Sequence, residues 1–185
     1  MDDIVRQAIA KWPHVPDCYG WLGLDARGNW YMRDDQAQAA GPFAAPAGGA
    51  SPAGKGSRLA HDKLIDFIQR NYESDASGQW FFQNGPQRVY VELEAAPLVW
   101  RVAAADGWAV TAHTGQSARI QRCVLDEQGR LYLETDLGFG LVHSQDMIHA
   151  AEAVEQGLWV PETVLAADLP ARFGYVRSPQ AGQKK

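Results

Sequence analysis

The sequence predicts an α+β protein in which antiparallel β-hairpins, built on a repeated motif, pack against a central helix and a C-terminal helix. Three observations predict it. The motif Asp-x-x-Gly-x, followed by a bulky residue, an aromatic and an apolar residue, occurs as "DARGNWYM", "DASGQWFF" and "DEQGRLYL", its aspartates being Asp25, Asp75 and Asp126. Around these motifs run period-two strands such as Val89-Tyr90-Val91-Glu92-Leu93-Glu94. Two stretches instead carry helical spacing: Leu64, Ile65, Phe67, Ile68 and Tyr72 form one apolar stripe, and a second helix is expected from Ser144 to Glu155.

In chain order, residues 2–12 read as a helix with Ile4, Val5, Ala8, Ile9 and Trp12 on one stripe, stopped by Pro13. "CYGWLGLDARGNWYMRD" reads as the first hairpin. Residues 36–56 are almost all Ala, Gly, Pro and small polar residues, which bury too little apolar surface to offset their ordering entropy, so a disordered insertion is expected there. Ser57 is the expected N-cap of the central helix, which ends near "NYESD". "QWFF" and "RVYVELE" form a hairpin around Asn84-Gly85. "PLVWRVA", "WAVTAH", the hairpin "RIQRCVLDEQGRLYLETD" and "GLVHS" extend the sheet. Ser144 is the expected cap of the last helix, and Gly157 marks its end. The domain reading is 1–35 for the first helix and hairpin, 36–56 for the insertion, 57–176 for the main α+β domain, divisible near residue 103, and 177–185 for a disordered tail.

The totals narrow the function classes. The chain has 185 residues, 46% hydrophobic and 21% charged, with seven Trp and a net charge of -5. Scattered Lys and Arg on an acidic chain argue against a nucleic-acid surface, which needs clustered cations to displace counterions. No apolar run reaches the roughly 20 residues that span a bilayer, and the N-terminus has acids where a signal peptide carries bases. A cytoplasmic protein with two free thiols, Cys18 and Cys123, is expected.

Turn chemistry accounts for the repeated motif. Asp early in a four-residue connection accepts backbone N–H bonds, and Gly enters the left-handed region. Calcium ligation would need more oxygen ligands at alternating positions than these segments carry.

The segments "GNWYM", "KLIDFIQRNY", "DASGQWFF", "VELEAAPLVWRV" and "LETDLGFGLVHS", in this order over about residues 20–150, resemble a family of uncharacterised bacterial proteins grouped as a domain of unknown function. The resemblance implies a fold of repeated small motifs and a signalling or regulatory role. It supplies no catalytic residues. The insertion at 36–56 and the segment "LWVPETVLAADLPARFGYV" depart from the family pattern.

Candidate chemistry is sparse. His14, His61, His113, His143 and His149 do not share a spacing that gathers three or four metal ligands, so no metal and no cofactor is expected. Cys123 in "RCVL" reads as a packed thiol. "AHTG" and "LVHS" place His113 and His143 beside hydroxyl residues, without the Gly-flanked nucleophile turn of a serine hydrolase. On the hairpin at 80–94, Trp80 and Phe82 share one face and Phe81 takes the other, while Arg88, Tyr90, Glu92 and Glu94 share the more polar face. If Phe81 or Trp80 joins that face, a partly apolar, partly charged patch results. The residues assigned to ligand binding are therefore Trp80, Arg88, Tyr90, Glu92, His113 and His143, and none is assigned to catalysis. The expected function is a non-enzymatic binding or regulatory module for a small molecule or protein partner. A hydrolase using His113 or His143 is the second reading. An oligomeric scaffold joined through a sheet edge or Trp patch is the third.

Overall fold

The computed structural model describes residues 2–44 and 52–183. The α+β chain divides into two compact units, one holding the residues up to Asp25, Asn29–Ala95 and the residues from Tyr175, the other Ala26–Gly28 and Ala96–Gly174. Each carries one sheet, antiparallel in most pairs. Among the described residues no helix is long and apolar enough to cross a membrane.

The first unit contains α1 (Asp3–Lys11), β1 (Cys18–Leu24), β2 (Trp30–Met32), α2 (Asp35–Ala40), α3 (Pro52–Lys55), β3 (Ser57–Arg58), α4 (Asp62–Arg70), β4 (Tyr72–Ser74), β5 (Trp80–Asn84) and β6 (Gln87–Leu93). Its strand order is β3-β2-β1-β6-β5-β4, with β1 parallel to β6. The register places Leu22, Leu24, Trp30, Val91, Leu93 and Phe82 on one face, because directly paired residues share a face. Helix α4 brings its apolar stripe to that face, with Ile68 buried and Phe67 edge-on to Phe82 at 5.4 Å. Tyr31, Tyr90, Glu92 and Phe81 take the other face.

The second unit contains β7 (Leu98–Ala103), β8 (Ala109–Ala112), β9 (Ser117–Ala118), β10 (Ile120–Leu125), β11 (Leu131–Thr135), β12 (Gly138–Val142), α5 (Met147–Glu155), β13 (Pro161–Thr163) and α6 (Leu169–Arg172). Its order is β13-β10-β11-β12-β7-β8-β9. Ala150 and Ala153 of α5 are fully buried, and Trp100, also fully buried, donates its indole N–H to the Leu133 carbonyl at 3.1 Å. Cys123 is a packed thiol, and burial pushes its pKa up to about 11.

The three repeated motifs are three copies of one turn. The aspartate N–H bonds the carbonyl four residues on at 3.0, 2.9 and 3.0 Å, and the aspartate Oδ1 accepts the N–H of that same residue at 2.8, 3.0 and 2.8 Å. Gly28, Gly78 and Gly129 sit at φ of 80°, 78° and 75°, in the region that favours glycine. A fourth turn with the same backbone bonds runs from Ala112 to Gln116, with Gly115 at φ 85°. It escapes the sequence pattern because Ala112 stands where the others have Asp, and Ser117, Ala118 and Arg119 stand where they have a bulky, an aromatic and an apolar residue.

Two expected caps are corrected. Ser57 lies in β3, and the imidazole of His61 caps α4 by accepting the Leu64 N–H. Ser144 lies in a 3₁₀ turn, Ser144–Asp146, whose cap is His143, accepting the Gln145 N–H. In both cases a histidine nitrogen serves as the acceptor usually supplied by a Ser or Asp oxygen. Residues 45–51 of the Ala/Gly/Pro-rich stretch, and 184–185 of the expected tail, lie outside the described residues. The described parts of the first form α2 and α3, and Ser178 and Gln180 are hydrogen-bonded to Glu92.

Candidate functional site

In the first unit, β6 carries Arg88, Tyr90 and Glu92 on one face at alternate positions. Phe81 joins that face by pairing with Tyr90, its ring 5.6 Å from the Tyr90 ring; Trp80 lies on the α4 face, 4.8 Å from Tyr72. Tyr90 and Glu92 are buried, whereas Arg88 is exposed. The alternation of β6 therefore reads as half-solvated while the structure covers much of its polar side.

Tyr19 of β1, which the sequence reading passed over, stacks on Tyr90 with centroids 4.5 Å apart and planes 3° apart. The Arg88 guanidinium lies 4.7 Å from the Phe81 centroid and beside the Tyr90 hydroxyl. That hydroxyl donates to Asp75 Oδ2 at 3.1 Å. Burial pushes the Tyr90 pKa up to about 12 against the opposing pull of Arg88. Burial also works to raise Asp75, but hydrogen bonds from Ser77, Gln79 and Tyr90 outweigh it and hold the carboxyl below its ordinary value. The result is an aromatic stack with one exposed cation and one anion at its rim.

Two residues along β6, Glu92 belongs to a different network. Its carboxylate accepts the Ser178 hydroxyl at 2.5 Å and the Gln180 N–H at 2.9 Å. Burial raises its pKa, partly offset by those donors and by the charge of Arg33. Arg33, with no exposed surface, donates to the carbonyls of Gly54 (2.7 Å), Gly20 (3.0 Å) and Gly41 (2.7 Å), and to Gln180 Oε1 at 3.3 Å. Gln180 thus touches both buried charges, and Glu92 acts as an anchor for residues 178–180.

In the second unit, His113 and His143 flank β7 on one face, opposite Val99 and Arg101 respectively, as the Trp100–Ala112 and Trp100–Val142 pairings require. One strand and two residues of offset separate them by roughly 10 Å or more. Both present Nδ1 as an acceptor, His113 to the Val99 N–H at 3.3 Å and His143 to the Gln145 N–H at 3.1 Å. In the neutral ring the proton then sits on Nε2. Asp146, beside His143, accepts Arg101 Nε at 2.6 Å and the Val102 N–H at 3.0 Å, and the Arg101 bond foremost holds its pKa below the ordinary value. Among the described residues no three His, Cys, Asp or Glu side chains are arranged to hold a metal ion.

The six predicted residues therefore fall into separate places: Arg88 and Tyr90 together, Glu92 in its own anchor, Trp80 under α4, and the two histidines in the other unit. The stack on Tyr19 could have been sought from Tyr19 and Tyr90 on apolar strands, but only the parallel β1–β6 pairing brings them together.

Comparison with curated proteins returned no match. Two solved structures are similar: a DUF1285 family protein from Silicibacter pomeroyi DSS-3, 14% identical over 82% of this chain and 84% of that chain with a TM-score of 0.47, and one from Shewanella baltica OS155, 16% identical over 71% and 91% with a TM-score of 0.47. Residues 1–180 match the model of the DUF2944 family, described as "Protein of unknown function (DUF2946)", and the chain belongs to that family.

Proposed function

We propose that the protein is a non-enzymatic binding or regulatory module of the cytoplasm, taking a small molecule or a segment of a protein partner at the Tyr19–Tyr90–Arg88 surface. One observation carries this reading: a parallel tyrosine stack whose outer member, Tyr19, is half-buried, beside the exposed guanidinium of Arg88. A planar group bearing carboxylate or carbonyl oxygens suits such a site, since the ring offers a stacking face and the guanidinium a two-pronged donor. The tautomers of His113 and His143 also favour binding over hydrolysis. A general base for a hydroxyl nucleophile uses an unprotonated Nε2 with Nδ1–H held by an acid, and here both Nδ1 atoms are acceptors instead.

The test is a thermal-shift panel of metabolites and metal ions on the full chain. A ligand at 100 times its Kd stabilises the native state by about 2.7 kcal/mol, a shift of several degrees. The shift is expected to vanish in Arg88→Gln and to shrink in Tyr19→Leu. If no compound raises the Tm, the small-molecule form fails and a protein partner remains. Turnover of an ester substrate that is lost in His143→Ala would overturn the binding reading in favour of the hydrolase.

A further inference from the structure

The second unit holds a pocket of about 260 Å³ along one face of α5, lined from the helix's first residue, Met147, to its last, Glu155. Leu125 and Leu131 from the sheet, Pro161 from β13, and Met147, Ala151 and Val154 from the helix form its walls. The helix crosses the sheet on two fully buried alanines, Ala150 and Ala153, and the short side chain of Ala151 at the rim leaves the adjoining space open. Among the described residues Glu155 is the only charged one lining it. Glu155 is exposed and forms no ion pair among the described residues. The last turn of α5 carries no basic side chain, so nothing on the helix compensates the negative end of its dipole. The imidazole of His149 on the same helix lies with its Nδ1 3.7 Å from Glu152.

An apolar chamber whose lining includes one carboxylate, on the residue that ends the helix, complements one class of small molecule. We propose that this pocket binds a free primary amine with an apolar body of about six carbons, its methylenes against Leu125, Leu131 and Met147 and its ammonium at Glu155. Size supports the assignment, because an apolar cavity of ~150 Å³ already accommodates benzene. Sign supports it as well: an alkylamine is protonated at neutral pH, and a carboxylate of equal length would meet Glu155 and the helix end with like charge. This site is independent of the Tyr19–Tyr90–Arg88 surface, and either can fail without the other.

Titration calorimetry on the full chain tests it with n-butylammonium, n-hexylammonium, hexanoate, 1-hexanol and N-acetyl-lysinamide. Hexylammonium is expected to bind about tenfold tighter than butylammonium, since each buried methylene adds up to about fourfold. It is also expected to bind more tightly than hexanoate. Glu155→Gln should weaken hexylammonium by up to about fivefold, the upper end for an exposed charge pair, and leave hexanol unchanged. Ala151→Leu, at an exposed helix position that tolerates Leu, should narrow the pocket and weaken hexylammonium and hexanol alike. Equal binding of hexanoate, indifference to Glu155→Gln, or full binding in Ala151→Leu would each overturn the proposal. Tighter binding of N-acetyl-lysinamide than of hexylammonium would assign the pocket to a lysine side chain of another protein and overturn the free-amine assignment.

Discussion

Tyr90 donates its hydroxyl to Asp75 at 3.1 Å from a neighbouring strand, doing for the second turn what Tyr31 does for Asp25 (3.3 Å) and Tyr132 for Asp126 (3.2 Å) from within their own hairpins. In the second copy Phe81 stands at the position of those tyrosines, and Phe81 is paired directly with Tyr90. The hydroxyl has moved across one strand while its target has stayed the same.

The first prediction follows from that exchange. Tyr90→Phe should cost about 1 kcal/mol in urea denaturation, the net worth of one side-chain hydrogen bond. Adding Phe81→Tyr should return most of the loss, because a tyrosine there matches Tyr31 and Tyr132. A double variant as unstable as the single one would show that the two positions are not equivalent.

Arg33 should be among the least replaceable residues of the first unit. Arg33→Leu strands three carbonyl groups and removes the cation near Glu92, and should cost about 3–5 kcal/mol. Arg33→Lys should recover little, since a single ammonium cannot reproduce a fork spread over Gly20, Gly41 and Gly54. Glu92→Gln combined with Arg33→Leu should lose less than the sum of the two, a non-additivity measurable by a double-mutant cycle.

Asp146 sets a pH dependence in the second unit. Its carboxyl lies below the ordinary value of 3.8, chiefly through Arg101, so the unfolded chain takes up the proton first as pH falls. The stabilisation is fully present above about pH 4–5 and is lost as pH falls through the folded pKa. Stability measured from pH 6 to pH 3 should therefore decline less steeply in Arg101→Leu than in the native chain. Parallel declines would show that the pair contributes nothing to acid sensitivity.

Gly140 is required for lack of room. A Cβ there would stand 2.4 Å from Trp100 Nε1 and 2.7 Å from the Leu98 carbonyl. Gly140→Ala should cost about 1–3 kcal/mol by overpacking and displace the indole from Leu133. Urea denaturation and the tryptophan emission spectrum report the two effects.

Local chemistry made much of this legible in the sequence. The Asp-x-x-Gly turns, the apolar face of α4 and the packed thiol of Cys123 all rest on neighbours a few residues away. What was not legible depends on distant pairing. The parallel alignment of β1 with β6 joins Tyr19 to Tyr90 across 71 positions. Glu92 looks solvated by alternation and is buried because Ser178 and Gln180 lie against it. The fourth turn was hidden by Ala112 and by Ser117-Ala118-Arg119, since the glycine and the backbone bonds suffice without the rest of the motif.

The second unit is inserted within the first, so biosynthesis meets the two in reversed order of completion. Residues 96–174 leave the ribosome as one uninterrupted run and can assemble their sheet, while Glu92 and Arg33 wait for Gln180. Until residue 180 is in place, Glu92 and Arg33 lack the residue they share, and Glu92 lacks the segment that buries it.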